Sequence, residues 1–233
     1  MAVDPTLGKN EKIGFPDSYR QGFDDRIFRD IRRKLPLLGR EKKVVLDIGP
    51  GCAGLADRLI ELCGEKKHSL ILADSQEMLS LLPDRRYIRK IPGMFPRSAG
   101  AVTASASGGC DVILCYSVLH YIFVDSNVWE FLDRSIELLR PGGQMLIGDI
   151  PNISMRRRFF ASERGIQFHK KFMKTGDTPS VAFNSLDVRD IDDAVVLGLV
   201  TRARNAGVDA FVVPQPANLP MANRREDLLL YKP

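Results

Sequence analysis

The sequence predicts an α/β fold in which helices cover both faces of a mostly parallel β-sheet. Short apolar segments alternate with longer segments of helical character, which is the pattern of a parallel sheet with helical crossovers. The first five apolar segments are hydrophobic on both alternations, as expected of strands buried on both faces. The 233 residues are 44% hydrophobic and 27% charged, which provides enough apolar material for the core of one domain.

Seven short apolar segments are predicted as strands, so the sheet is expected to be seven-stranded. Their lengths are typical of strands rather than of helices. In chain order they are residues 44–48, 69–73, 87–91, 112–116, 144–148, 210–213 and 227–231.

Five further segments are predicted as helices: residues 18–34, 55–63, 76–82, 126–139 and 188–205. The first carries Tyr19, Phe23 and Ile27 at four-residue intervals, and we interpret this stripe as part of the core. The fourth ends where a proline and two glycines follow. Residues 99–109, rich in Ala, Ser and Gly, are expected to form a surface loop. Residues 152–184 show no clean strand pattern and are expected to form an insertion over the carboxyl edge of the sheet.

Composition excludes several classes of protein. The net charge of +5 and the pI of about 9.1 permit an anionic partner without requiring one. No apolar segment approaches the roughly 20 residues that cross a bilayer, and the N-terminus lacks the pattern of a signal peptide. The four cysteines contain no C-x-x-C pair, which disfavours a disulfide scaffold or a zinc ribbon. We therefore expect a cytoplasmic protein that does not contact a membrane; its oligomeric state is not predicted.

The most informative motif follows the first predicted strand. Gly49, Gly51 and Gly54 form a G-x-G-x-x-G pattern, and Asp74 lies 20 residues beyond Gly54. Glycines at such a turn allow the backbone to approach a ligand closely before a helix begins. The pattern is also the outline of a dinucleotide-binding fingerprint.

Two residues beside these glycines disfavour a dinucleotide. Asp47 places a carboxylate where a pyrophosphate would lie, and two unit charges about 4 Å apart repel by roughly 4 kcal/mol at an effective dielectric near 20. Pro50 removes a backbone N–H that phosphate oxygens would need. A cofactor with a cationic end is attracted to Asp47 instead. S-adenosylmethionine suits these charges, because it has an ammonium, a sulfonium, and a ribose whose hydroxyls Asp74 can bind.

Four further segments have sequences typical of one known family, and they occur in that family's order. They are the acidic end of the second strand (72–79), the fourth strand with the turn after it (110–121), the turn before strand five (138–143) and the last strand (225–233). With these segments the chain resembles the class I S-adenosylmethionine-dependent methyltransferases. The resemblance implies a Rossmann-like, seven-stranded, mostly parallel sheet with an antiparallel last strand and helices on both faces. It also implies S-adenosylmethionine as cofactor and S-adenosylhomocysteine as product.

The cofactor-binding residues are predicted from the matching motifs. After strand three the family often has an acidic residue near the adenine, whereas this chain has Met94 and Phe95, which we expect to enclose the ring. Ser117 is either a helix N-cap or a cofactor contact. The complete predicted set is Asp47, Gly49, Pro50, Gly51, Asp74, Ser75, Met94, Phe95 and Ser117.

Three residues are candidates for a general base toward a hydroxyl acceptor: His120, Asp149 and His169. Asp149 follows strand five at the edge where ligands bind in such folds. A structural histidine inside an apolar run is the more common interpretation of His120, and a solvated surface that of His169. No cluster of metal ligands stands out, and no metal is predicted.

A basic and aromatic segment at residues 155–172 is the candidate for acceptor recognition. It could be a lid that binds an anionic small molecule, such as a phosphorylated or nucleotide-linked sugar, through arginines. It could also bind nucleic acid, or form a solvated helix face. We favour the lid, because the family commonly places substrate-recognition elements after strand five. The resemblance then implies one methyltransferase domain over 1–233, with an N-terminal helical cap at 1–40 and a substrate-side insertion at about 152–185.

The predicted function is methyl transfer from S-adenosylmethionine to an oxygen or nitrogen of a small, anionic acceptor. Three alternatives stay open at this point. The basic segment could serve an RNA methyltransferase, the chain could be a methyltransferase-like binding module without catalysis, or it could be a nicotinamide oxidoreductase.

Overall fold

The computed structural model describes residues 4, 6–14, 22–185 and 188–233, and these contain a seven-stranded sheet. The strand order is β3-β2-β1-β4-β5-β7-β6. Strands β1 to β5 are parallel, whereas β7 runs antiparallel to both β5 and β6. The strands are β1 (Val44–Ile48), β2 (Ser69–Asp74), β3 (Ile88–Pro92), β4 (Cys110–Tyr116), β5 (Leu139–Pro151), β6 (Asp209–Pro214) and β7 (Arg225–Tyr231). The predicted fold class and the antiparallel last strand are confirmed.

Helices precede the sheet and connect most of its strands. They are α1 (Lys9–Lys12), α2 (Asp24–Lys34), α3 (Gly54–Glu65), α4 (Gln76–Ser80), α5 (Ala99–Ser105), α6 (Leu119–Asp125), α7 (Val128–Leu138), α8 (Ile153–Ala161), α9 (Glu163–Met173) and α10 (Asp193–Asn205). A short 3-10 helix, Pro36–Gly39, links α2 to β1.

The core lies on both faces of the sheet, as the continuously apolar strands predict. On one face Leu46 and Ile113 pack with buried residues of α5, α7 and α10. On the other, Val45 and Val112 pack with buried residues of α2 and α3. Neighbours in sequence therefore point to opposite faces, and helices cover both.

Some local predictions were wrong. Residues 99–109 are not all loop, because Ala99 and Val102, three residues apart, are buried and form the core face of α5. The small side chains of this segment hid its periodicity. The helix predicted at 188–205 begins only at Asp193, where the Asp192 side chain accepts a hydrogen bond from the amide of Val195. Tyr19 lies outside the described residues, and Phe23 immediately precedes α2.

The predicted insertion forms two helices, α8 and α9, joined at Ser162. The Ser162 side chain caps α9 by accepting from the amide of Gly165, and Gly165 packs against the end of α8. A Cβ at Gly165 would lie 1.9 Å from the Phe159 carbonyl oxygen, so only glycine allows this contact. Within the described part of the chain, no helix combines the length and apolar character needed to cross a membrane.

Candidate functional site

A cleft of about 290 Å³ opens at the carboxyl ends of β1, β2 and β4. In open α/β sheets, ligands bind at this edge where the strand order reverses. Here the order β3-β2-β1-β4 places the reversal between β1 and β4, and the cleft lies there. The predicted cofactor residues that line it are Gly49, Pro50, Gly51, Asp74, Met94 and Ser117.

The glycine loop between β1 and α3 requires glycine for two physical reasons. Gly49 and Gly51 have φ angles of 70° and 62°, a conformation that side chains disfavour. A Cβ at Gly49 would lie 2.6 Å from a methyl of Val118, and one at Gly51 would lie 2.6 Å from a methyl of Ile13. Glycine is therefore required at both positions, where the backbone lies directly against Val118 and Ile13 on the cleft wall.

Asp74 ties the end of β2 to the glycine loop. One carboxylate oxygen accepts a hydrogen bond from the Gly51 amide at 3.1 Å, and the other accepts from the Ser75 amide at 2.7 Å. Burial raises the pKa of Asp74, whereas these two hydrogen bonds oppose the rise. Ser75, predicted to touch the cofactor, instead caps α4 by accepting from the Met78 amide. Asp74 thus presents a carboxylate to the cleft in a fixed orientation.

Asp47 lies near the carboxyl end of β1 and does not line the cleft. Its side chain is only 4% exposed, and the described residues donate no hydrogen bond to its carboxylate. Burial, with a smaller effect from the charge of Asp74, raises the pKa of Asp47 to about 8. The group is therefore largely protonated at neutral pH when nothing cationic is bound. Asp47 can therefore attract a cationic ligand, as predicted, only if the bound cation itself drives the loss of the carboxyl proton.

Of the two residues predicted to enclose the adenine, Met94 and Phe95, only Met94 lines the cleft. Met94 is 56% exposed and lines the cleft, together with Met78. Phe95 is buried in the core, where its ring packs edge-to-face against Phe131 at 5.8 Å. Phe95 therefore does not line the cleft as expected, because the core takes its ring.

Ser117 and Asp149 meet at the ends of the adjacent strands β4 and β5. The Ser117 hydroxyl donates to the Asp149 carboxylate, and the Ser117 amide donates to the Gly148 carbonyl at 2.9 Å. Both residues have positive φ angles, 61° and 59°, which is uncommon outside glycine. Such backbone persists only where the surroundings fix it, and it concentrates at functional sites. Ser117 is not a helix N-cap, since α6 begins after Val118.

Asp149 sits in a β-bulge, where the β5–β7 register shifts between Ile147 and Ile150. The Arg225 guanidinium contacts its carboxylate at 2.9 Å, and the Gln215 amide nitrogen lies 3.3 Å from the other oxygen. The Asp149 amide donates to Asp227 at 2.8 Å. Asp149 is thus part of a buried network in which both of its carboxylate oxygens already have partners. This arrangement suits a positioning residue better than a free base.

His120 lies within electrostatic reach of Arg225 and Asp149. Burial and the Arg225 charge lower the pKa of His120 to about 4, and the Asp149 charge only partly opposes this. The imidazole is therefore neutral at physiological pH. Its buried Nδ1 has no hydrogen-bond partner among the described residues. The ring packs 4.0 Å from that of Tyr121, which lines the cleft.

His169 is not brought to the cleft. It lines a separate cavity of about 440 Å³, shared with Arg156, Arg157 and Phe160 of α8. The described residues contain no group of three or more His, Cys, Asp or Glu side chains arranged to hold a metal ion. Of the three predicted base candidates, the structure brings together only His120 and Asp149.

Sequence reasoning missed several residues of the site. Tyr116, Val118 and Tyr121 line the cleft, and all belong to the segment that resembles the family's fourth strand. Their place at the end of β4 and in the turn after it, at the carboxyl edge of the sheet, was the available signal. No such signal exists in the sequence for Gln215, because the position of this side chain depends on how the connection from β6 to β7 returns over the sheet.

Comparison with known proteins gives structural matches only. Neither protein-family models nor curated protein sequences match this chain. An O-methyltransferase family protein from Burkholderia thailandensis matches with a TM-score of 0.51 at 16% identity, over 90% of this chain and 58% of that chain. This chain therefore spans little more than half of that protein's length.

Two other solved structures match over most of both chains. The N-methyltransferase NodS from Bradyrhizobium japonicum WM9 has a TM-score of 0.56 at 13% identity, over 94% of this chain and 99% of that chain. The plantazolicin methyltransferase BamL, in complex with a triazolic desmethylPZN analog and SAH, has a TM-score of 0.58 at 15% identity, over 93% and 87%. With its strand order and its antiparallel β7, the chain has the Rossmann-like fold of the class I S-adenosylmethionine-dependent methyltransferases.

Proposed function

We propose that this protein transfers a methyl group from S-adenosylmethionine to an oxygen or nitrogen of a small, anionic acceptor and releases S-adenosylhomocysteine. The observation that carries the proposal is the pair of carboxylates around the glycine loop. Asp74 lines the cleft, and Asp47 lies almost fully buried near the end of β1 without a hydrogen-bond donor among the described residues. A buried carboxylate without a donor is costly unless a ligand compensates it.

The residues present fit this cofactor. Each oxygen of Asp74 accepts one backbone amide, which leaves lone pairs for the two ribose hydroxyls. The methionine part would extend along the glycine loop toward Asp47, where its ammonium would favour the ionised carboxylate. Met94, which lines the cleft, would cover one face of the adenine.

The chain's own residues would chiefly position the acceptor, because the cofactor supplies a sulfonium that is already a good leaving group. In the transfer, the acceptor lone pair forms the bond to the methyl carbon while the carbon–sulfur bond breaks and its electrons stay on sulfur. The acceptor's proton must then leave. We assign it to the neutral imidazole of His120, which lies behind Tyr121 of the cleft wall and whose buried Nδ1 has no partner among the described residues. Asp149, held by Arg225 and Ser117, would act as a positioning residue.

The insertion supports a small acceptor rather than RNA. The charge of the basic segment is partly compensated, since Arg158 pairs with Asp193, and Arg157 is engaged by hydrogen bonds to Ser185. Phosphate binding along a nucleic acid needs a continuous run of available cations. We therefore keep the insertion, residues 152–185, as a substrate-side element of the proposed domain.

The decisive experiment measures cofactor binding and methyl transfer separately. Isothermal titration should show binding of S-adenosylhomocysteine and none of NAD⁺. Radiolabelled S-adenosylmethionine with fractionated cell extract should then label the small-molecule fraction. His120→Gln should reduce the labelling rate by about 100-fold while leaving the affinity for S-adenosylhomocysteine unchanged. Binding of NAD⁺ instead would refute the proposal, labelling confined to RNA would refute the acceptor class, and cofactor affinity without labelling of any fraction would indicate a binding module.

A further inference from the structure

A second concavity, separate from the cofactor cleft, lies between the insertion and the connection from β6 to β7. We call it the aromatic groove; it is about 620 Å³ and is bounded on one side by Phe159, Phe168 and Phe172. On the other side lie Gln215 and the chain from Ala217 to Arg224. Its volume falls in the usual range for a small-molecule site.

The groove adjoins the cofactor cleft. The Gln215 amide nitrogen lies 3.5 Å from the hydroxyl of Tyr116, and Tyr116 lines the cleft. Phe23 lines the groove and its neighbour Asp24 lines the cleft. A molecule in the groove would therefore reach the side of the cleft where a methyl group has to be received.

The Gln215 side chain is held through its amide nitrogen, and its amide oxygen accepts no hydrogen bond from the described residues. Its amide nitrogen donates toward Asp149 at 3.3 Å and Asp227 at 3.0 Å. Two carboxylates fix this orientation, because an amide oxygen in the same place would be repelled. The amide oxygen therefore faces the other way, and it accepts no hydrogen bond from the described residues although the side chain is only 7% exposed. The buried Asn223 side-chain oxygen, also on the groove wall, has no partner among the described residues either.

The remaining walls select a flat and anionic molecule. The Phe168 and Phe172 rings are stacked, with an interplanar angle of 9° and centroids 5.8 Å apart, and Phe172 is 56% exposed. A wall of aromatic side chains packs favourably against an aromatic ring of a ligand. Arg164 lines the groove, and no carboxylate of the described residues forms an ion pair with it. Arg224, also on the wall, lies 5.8 Å from the Phe160 ring.

From this arrangement we infer that the aromatic groove is the acceptor site and that the acceptor is a small aromatic compound. It carries a hydroxyl or N–H group that donates to Gln215 at the deep end and an anionic group that meets Arg164 at the rim. The inference rests on the proposed methyl transfer and names its substrate class. The methylated oxygen or nitrogen is the deep donor. Its lone pair forms the bond to the methyl carbon while the carbon–sulfur bond breaks, and its proton passes to the imidazole of His120, the proton acceptor assigned under the proposed function.

The test uses the full-length protein saturated with S-adenosylhomocysteine and four matched probes, with titration calorimetry as the readout. 6-Hydroxy-2-naphthoate has the ring, the donor and the anion. 2-Naphthoate lacks the donor, 2-naphthol lacks the anion, and trans-4-hydroxycyclohexanecarboxylate lacks the aromatic ring. We expect 6-hydroxy-2-naphthoate to bind at least about tenfold more tightly than each of the others, because each of them lacks one of the three interactions; a tenfold change in Kd corresponds to about 1.4 kcal/mol.

Two exposed groove residues can be changed with little risk to folding. Phe172→Ala and Arg164→Gln should each weaken 6-hydroxy-2-naphthoate about tenfold and leave S-adenosylhomocysteine affinity unchanged. Phe211→Ala and Arg86→Gln, exposed residues outside the groove, serve as matched controls. The inference is overturned if none of the probes binds, if the cyclohexane probe binds equally well, if the groove variants behave like the controls, or if guanosine monophosphate binds more tightly than the naphthoate. If S-adenosylhomocysteine still binds in these cases, only the inference about the groove fails and the proposed methyl transfer stands. If the unmodified protein does not bind S-adenosylhomocysteine, the inference and the proposed function both fail.

Discussion

The amide of Gly51 donates a 3.1 Å hydrogen bond to the carboxylate of Asp74, so the glycine loop after β1 is tied directly to the end of β2. The bond fixes one oxygen of Asp74 while its other oxygen holds the Ser75 amide at the start of α4. One side chain therefore shapes the loop and also presents the negative edge of the cleft. Loss of this side chain should disturb both functions at once.

Asp74→Ala should weaken S-adenosylhomocysteine binding by about 10- to 100-fold, because hydrogen bonds to a charged group contribute about 1.5–3 kcal/mol. Titration calorimetry gives the comparison. Glu77→Ala is the matched control, since Glu77 is an exposed acid just beyond the same strand. Equal affinities of the two variants would show that Asp74 does not contact the ligand.

The affinity for S-adenosylhomocysteine should increase with pH between 6 and 8. The pKa of Asp47 is raised to about 8 by burial, so below that pH a bound ammonium must displace a proton from the carboxylate. The linkage makes the affinity fall by up to about tenfold for each pH unit below 8. Methylthioadenosine, which lacks the ammonium, should show no such dependence. A flat profile for both ligands would place the ammonium away from Asp47.

Asp47→Asn should stabilise the free protein while weakening the cofactor. The folded pKa of Asp47 is raised from 3.8 to about 8, so the native chain loses stability as pH rises through that window. The asparagine variant avoids this loss. Its melting temperature should exceed that of the native chain at pH 8.5, with the difference shrinking toward pH 4, as thermal unfolding monitored by circular dichroism would show. A constant difference across that range would mean that Asp47 is not the titrating group.

The parallel sheet could be predicted from the sequence because its strands are buried on both faces. Segments such as residues 44–48 and 112–116 are apolar throughout, and the observed strands overlap all seven predictions. The cleft followed from topology, since the carboxyl ends of β1 and β2 meet beside the glycines. Local composition was sufficient to predict a strand wherever all of its residues are buried.

The rest of the site depends on tertiary relationships. Phe95 looked available for the cleft, yet it packs against Phe131 of α7, more than thirty residues away. Asp149 looked like a free carboxylate, but the bulge opposite Asp227 turns it into a buried ionic network with Arg225. Neither partner is close in sequence, so no local pattern could identify it.

Gly165→Ala should impair methyl transfer without affecting the cofactor. Its Cβ would lie 1.9 Å from the Phe159 carbonyl oxygen, so α8 and α9 would have to separate, at a cost of about 1–3 kcal/mol. The aromatic groove, which needs both helices, should lose affinity for its occupant, whereas S-adenosylhomocysteine affinity should stay unchanged. Gly176→Ala is the control, because a Cβ there meets no atom within 4 Å. If both variants retain full transfer activity, the packing of the two helices is irrelevant to the acceptor.

Lys34→Met should be the most destabilising substitution considered. The Lys34 ammonium bridges Asp30 at 2.6 Å and Asp227 at 2.7 Å, and Asp227 is fully buried. Removing one partner of a buried pair leaves the other uncompensated, at a cost of about 3–5 kcal/mol.

The destabilisation by Lys34→Met should be larger at pH 8 than at pH 5, since Asp227, whose pKa burial already raises, can then relieve its charge only by taking up a proton. Chemical denaturation at both pH values gives the comparison, with Arg33→Met, an exposed neighbour on the same helix, as control. Adding Asp227→Asn should recover part of the lost stability, because the buried charge is then gone. If the double variant is no more stable than Lys34→Met alone, the cost comes from lost packing of the lysine stem and not from the uncompensated carboxylate.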